Sequence, residues 1–70
     1  MSTILKIISV NIRKERIKQK LTQEILAEKA GLHPNYIGLI ERKQKNISIA
    51  ALEKIAKALN IQIKDLMHNR

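Results

Sequence analysis

Glycine and proline are scarce in this 70-residue chain, two and one respectively, so where they fall largely dictates where helices stop and start. Gly31 and Pro34 fall close together, between two apolar stretches. Ahead of the first stretch, Thr22 offers a side-chain acceptor for a helix start, and Glu24 puts a negative charge in the first turn, where the helix dipole favours it. A helix is therefore expected to follow Thr22 and to end at Ala30, with Gly31 free to take the positive φ that redirects the chain. Pro34 suits the first position of the next helix, because that position has no intrahelical N–H bond to lose, and His33 becomes its cap residue.

Elsewhere apolar residues recur at helical spacing, and no stretch alternates as a half-buried strand would. Five helices are predicted. The first covers roughly residues 3–19, with Leu5, Ile8 and Ile12 along one stripe and Lys14, Lys18 and Lys20 directed elsewhere. The helix opened by Pro34 continues to about Arg42 and turns Ile37 and Ile40 inward. Lys43, Gln44, Lys45 and Asn46 read as an exposed basic loop. Ser48 caps a fourth helix whose apolar face is Leu52, Ile55, Ala56 and Leu59, and Asn60 ends it. A short fifth helix over about residues 62–68 carries Ile63, Leu66 and Met67. The fold class is all-α, a compact five-helix domain.

A chain of this length builds one small core and no second one, and a domain so small depends on close packing or on a partner. There is no cysteine, and His33 and His68 sit far apart without ligand-type neighbours, so neither a disulfide nor a metal staple is expected. No cofactor is expected either. Fourteen Lys and Arg against six Asp and Glu give a formal charge of +8, which attracts polyanions but also fits a merely solvated basic surface. Residues 1–10 are apolar but interrupted by Lys6 and Ser9. They are too short to span a membrane, and no small-residue cleavage site follows, so a cytoplasmic protein with no membrane association is expected. With no paired carboxylates in a convincing pocket, no glycine-rich phosphate loop and no histidine-centred triad, neither catalysis nor a small-molecule substrate is expected.

Two short helices joined by a glycine turn form the helix-turn-helix pattern, in which the second helix enters the major groove of DNA. Any small helical bundle needs such turns, so the pattern alone leaves DNA binding as one reading among others. The wider set Leu21-Thr22-Gln23-Glu24, Leu26-Ala27, Gly31, Tyr36-Ile37, Ile40-Glu41-Arg42, Asn46, Ser48 and Leu52 through Ala56 to Leu59 resembles the Cro and phage-repressor type of helix-turn-helix family. The resemblance covers about residues 12–66 and makes residues 1–70 a single repressor-type DNA-binding domain. Within the family, Asn35 to Arg42 followed by Asn46-Ile47-Ser48 is most similar to controller proteins of restriction–modification systems, with similar wording in phage and plasmid repressors.

The resemblance implies a role for each matching residue. Gln23, at the start of helix two, would bond a phosphate and brace the recognition helix. His33, Pro34, Asn35, Gly38 and Leu39 match base-facing positions. Asn35 is the residue whose carboxamide suits adenine, while Leu39 would meet a thymine methyl or cover a neighbour. Gly38 weakens the helix, and so either permits close approach to DNA or is simply tolerated. Tyr36 would send its hydroxyl to a phosphate, and Arg42, Lys43, Gln44, Lys45 and Asn46 would line the sugar-phosphate backbone. Arg16 and Glu41 match an internal ion pair and are excluded from the DNA site. Pro34 stands where many controller proteins place a base-contacting arginine. Glu15 and Lys43 replace the usual apolar residue and glycine, and Ile47 replaces a common proline.

The leading expectation is a transcriptional regulator that binds double-stranded DNA as a homodimer on a pseudopalindromic operator, paired through Ile61, Ile63, Leu66 and Met67 unless these close the core instead. The alternatives are an antitoxin whose main partner is a toxin protein, and a basic protein that coats RNA or anionic membrane without sequence preference.

Overall fold

The register of apolar residues along the first helix decides what the rest of the chain can pack against. In a computed structural model, which describes residues 3–69, the described elements are α1 (Thr3–Lys18), α2 (Gln23–Ala30), α3 (Tyr36–Glu41), α4 (Ile49–Leu59) and α5 (Ile63–Leu66), with no strand among the described residues. Residues 1, 2 and 70, the ends of the expected domain, lie outside them. Ile8 and Ile12 are buried along one stripe of α1, beside the buried polar groups of Asn11, Glu15 and Arg16. Leu26, Ile37, Ile40, Leu52, Ile55, Leu59 and Leu66 complete one core to which every helix contributes. α2 packs chiefly on α4, and α1 touches α3, α4 and α5. Among the described residues no helix is long and apolar enough to cross a membrane.

Helices α1 to α4 all terminate by the same device. A residue in the left-handed conformation follows each one: Lys20 (φ 61°), Gly31 (φ 69°), Lys43 (φ 60°) and Asn60 (φ 59°). The next N–H then reaches back to a carbonyl of the last turn, Leu21 to Arg16 at 3.0 Å, Leu32 to Ala27 at 2.8 Å, Gln44 to Leu39 at 2.9 Å and Ile61 to Ala56 at 3.0 Å. Glycine and asparagine adopt this conformation readily, whereas the two lysines carry a Cβ into it at a cost. At the other ends, the Thr22 and Ser48 hydroxyls accept from the Ile25 and Ala51 N–H groups, each at 3.0 Å.

Two boundaries differ from the sequence expectation. The third helix begins at Tyr36 and not at Pro34, because the Tyr36 N–H first closes a turn on the His33 carbonyl at 2.9 Å. His33 nevertheless caps that turn, its Nδ1 accepting the Asn35 N–H at 3.1 Å. The last helix is cut to Ile63–Leu66. There the Asn11 amide, buried on α1, donates to the Leu66 carbonyl at 2.9 Å and also to that of His68, which pulls the chain out of helix. Gln19 does the same for α4, donating to the Leu59 carbonyl at 2.7 Å. Asn11 on α1 and Gln19 just past its end thus satisfy carbonyls that a helix end leaves without intrahelical partners.

Candidate nucleic-acid interface

The carboxylate of Glu41, at the end of α3, fixes how the helix-turn-helix sits on α1. Arg16 donates to it in the two-pronged geometry that matches guanidinium to carboxylate, Nε to Oε2 at 2.6 Å and Nη2 to Oε1 at 2.9 Å. A third Arg16 nitrogen, Nη1, donates to the Leu21 carbonyl at 2.8 Å and so secures the loop that leads into α2. Gln23 Nε2, at the start of α2, donates to Glu41 Oε1 at 3.1 Å. The hydrogen bond to Glu41 holds the Arg16 guanidinium above its ordinary pKa, with burial pulling the other way and the Glu41 and Glu24 charges adding to the rise. The acid has only 2 % of its side chain exposed, so removing either partner strands a buried charge.

Arg13 joins the same cluster, its Nη1 lying 3.6 Å from Glu41 Oε1 with 59 % of the side chain exposed. It was not singled out in the sequence, although the helical spacing from Arg16 puts both on one face of α1. Among the described residues no group of His, Asp or Glu is placed to hold a metal ion.

With α1, α2 and α3 tied together, the outer side of α3 is defined. Ile37 and Ile40 point into the core, and His33, Pro34 and Asn35 are exposed, with Leu39 half-buried one turn on from Asn35. The Asn35 side chain makes no capping bond, so its carboxamide is not consumed locally. Tyr36 packs its ring against the core while Lys45 Nζ sits 5.6 Å from the ring centre, within cation–π range. Arg42, Lys43, Gln44, Lys45 and Asn46 are all exposed beside α3, and Arg42 Nε donates to Gln44 Oε1 at 3.0 Å. One of the two amide N–H groups of Gln23 is engaged by Glu41, which leaves the other for an external acceptor.

Two of the expected positions are buried in the single chain. Gly38, expected to face the bases, is buried beside the side chains of Gln23 and Arg42. Leu66 is fully buried in the core of the single chain, so it closes the core and has no surface left for a second copy. Ile61 and Ile63 remain half-buried at the surface and Met67 is exposed. The sequence signal that separates Leu66 from its neighbours is weak, since all of these residues are apolar on a short final segment.

Comparison with known proteins places these observations. The helix-turn-helix family matches residues 12–66 of the chain. The control protein C.SmaI of Serratia marcescens is 44 % identical over 64 residues, 91 % of this chain and 76 % of that protein. The crystal structure of the restriction–modification controller protein C.AhdI from Aeromonas hydrophila is similar with a TM-score of 0.84 at 37 % identity, covering 89 % of this chain and 94 % of that one. The controller protein C.Esp1396I, solved as a tetramer in complex with its natural 35 base-pair operator, gives a TM-score of 0.83 at 36 % identity over 97 % of this chain and all of its own.

Proposed function

Because this chain belongs to the helix-turn-helix family, we propose that it is a transcriptional regulator of the controller-protein kind that binds a pseudopalindromic operator as a homodimer. The observation that carries the reading is the Glu41 network. One buried carboxylate joins α1, α2 and α3, so the exposed side of α3 and the basic loop beside it are held as one preformed surface.

On that surface Asn35 and Leu39 face the bases, with His33 and Pro34 at the entrance to α3. Asn35 bonds adenine through its carboxamide. Gln23, Tyr36, Arg42, Lys43, Gln44, Lys45 and Asn46 meet the sugar-phosphate backbone, which supplies most of the salt-sensitive affinity. Pro34 offers no donor, so a guanine contact from that position is absent and the target differs from those of relatives that carry arginine there.

Dimerisation follows from the single recognition helix of each copy. One copy carries a single helix-turn-helix, whose recognition helix spans only a few base pairs, so one copy serves one half-site and its partner serves another about 34 Å away. Ile61, Ile63 and Met67 supply the apolar surface for pairing. The assembly named for C.Esp1396I, a tetramer on its operator, is consistent with copies of such a domain acting together.

Selection of bound duplexes from a random pool tests the proposal directly. It should return an inverted repeat whose half-sites lie about one helical turn apart, matching sequence upstream of the protein's own gene. Recovery of unrelated sequences with equal affinity would overturn it.

A further inference from the structure

Gly38 has no backbone reason to be glycine. It lies in the middle of α3, and its φ is not in the left-handed region, where glycine is needed. Glycine in a helix interior is less favourable than alanine, and α3 has only six residues over which to absorb that weakness.

The space a side chain would fill is already occupied. A Cβ placed on Gly38 would lie 3.0 Å from Arg42 Nη1 and 3.0 Å from Gln23 Oε1, closer than ordinary packing allows, with Gln23 Cδ at 3.6 Å. All three atoms belong to the ends of polar side chains, and none is backbone. Both side chains are anchored elsewhere as well, Gln23 by its donation to Glu41 at 3.1 Å and Arg42 by its donation to Gln44 at 3.0 Å.

We infer that Gly38 is a positioning residue of the DNA-binding surface, its missing side chain forming the slot in which Gln23 of α2 and Arg42 at the end of α3 lie together against the recognition helix. The inference rests on the functional reading above and refines it. A methyl group in the slot pushes both side-chain ends outward, while the flexible ends yield and the fold is kept. Guanidinium recognition of phosphate depends on a fixed fork geometry, so a small displacement of Arg42 is felt in binding. The helix improves and the site worsens.

The test is a comparison of Gly38→Ala in two backgrounds, the natural chain and the Gln23→Ala/Arg42→Ala double variant, each titrated against the duplex selected by the natural protein over a range of salt. In the natural chain Gly38→Ala should lower affinity roughly tenfold, the size of one weakened charge-assisted hydrogen bond. The slope of log affinity against log salt should become shallower by up to about 0.9, as one lost phosphate contact requires, and the melting temperature should stay equal or rise. In the double variant the same substitution should change affinity no further. An undiminished loss in the double variant would overturn the inference in favour of direct backbone approach to DNA. Full affinity of Gly38→Ala in the natural chain would also overturn it, as would a fall in melting temperature with an unchanged salt slope. A natural protein that selects no duplex at all overturns the functional reading itself, a result distinct from a natural protein that binds while Gly38→Ala is neutral.

Discussion

Helices α3 and α4 are neighbours in the chain and are stabilised in opposite ways. α4 has eleven residues, a hydroxyl cap from Ser48, a left-handed Asn60 at its end, and Ala51, Leu52, Ile55, Ala56 and Leu59 buried along one face. Its cap, its terminating turn and its apolar period all favour helix locally, and burial of that face in the core adds to them. α3 has six residues, no side-chain cap bond at Asn35, a glycine at its centre and a lysine in the left-handed position that follows it. A segment so short does not hold its shape in water, so it is held from outside, by Ile37 and Ile40 in the core and by the Arg16–Glu41 pair. Local groups left unused for making helix are the groups available to a partner. The weaker helix is the one that presents the candidate DNA surface.

The contrast breaks most sharply at its two anchors. Glu41→Ala should cost about 3–5 kcal/mol by leaving Arg16 buried without its acceptor, and Leu52→Ala about 2–5 kcal/mol by opening a core cavity. A domain of this size has roughly 4–10 kcal/mol to lose, so urea unfolding should find both near the edge of folding. If Glu41→Ala cost no more than a lost helix cap, α3 would not be held by that carboxylate and the contrast would collapse.

A matched pair at the two helix starts sharpens it. Asn35→Ala should leave the urea midpoint almost unchanged, since no cap bond is lost. It should cost about 1–3 kcal/mol in binding to the selected operator and relax preference at one base pair. Ser48→Ala should do the reverse, losing about 1 kcal/mol of stability through the cap while affinity per folded molecule is preserved. Equal effects of both substitutions on both measurements would erase the distinction.

The smallest expected effect is a gain. Lys43→Gly relieves a Cβ from the left-handed conformation and should stabilise by up to about 1 kcal/mol, several degrees in melting temperature for a chain this short. It also removes one cation from the loop beside α3, so affinity should fall and its salt dependence weaken. A stabilised variant that binds as well as the natural chain would mean that this lysine serves no DNA contact.

Helix order, the Thr22 and Ser48 caps and the turns at Gly31 and Asn60 were legible in the sequence, because each depends on residues within a turn of one another. The start of α3 lies two residues beyond Pro34 for a reason equally local, the turn that Tyr36 closes on His33 before the helical ladder begins. The short final helix was legible but its end was not, since the carbonyls of Leu66 and His68 are taken by Asn11, on the other side of the core. Leu66 could not be told from a surface residue without knowing what lies against it.

Spacing and chemistry along the chain thus determined the five described helices, most of their ends and the exposed basic loop, since hydrophobic period, capping and turn formation act over a few residues, while the candidate DNA-facing residues came from the resemblance to the helix-turn-helix family. The resemblance implied the Arg16–Glu41 pair between α1 and α3; only the tertiary structure decided that Gln23 joins α2 to it, that Leu66 belongs to the core and that Gly38 lies under the side chains of Gln23 and Arg42. Those assignments depend on which side chains meet across space, and packing between helices, not the order of residues within one, brings Arg16, Gln23 and Glu41 within hydrogen-bonding distance.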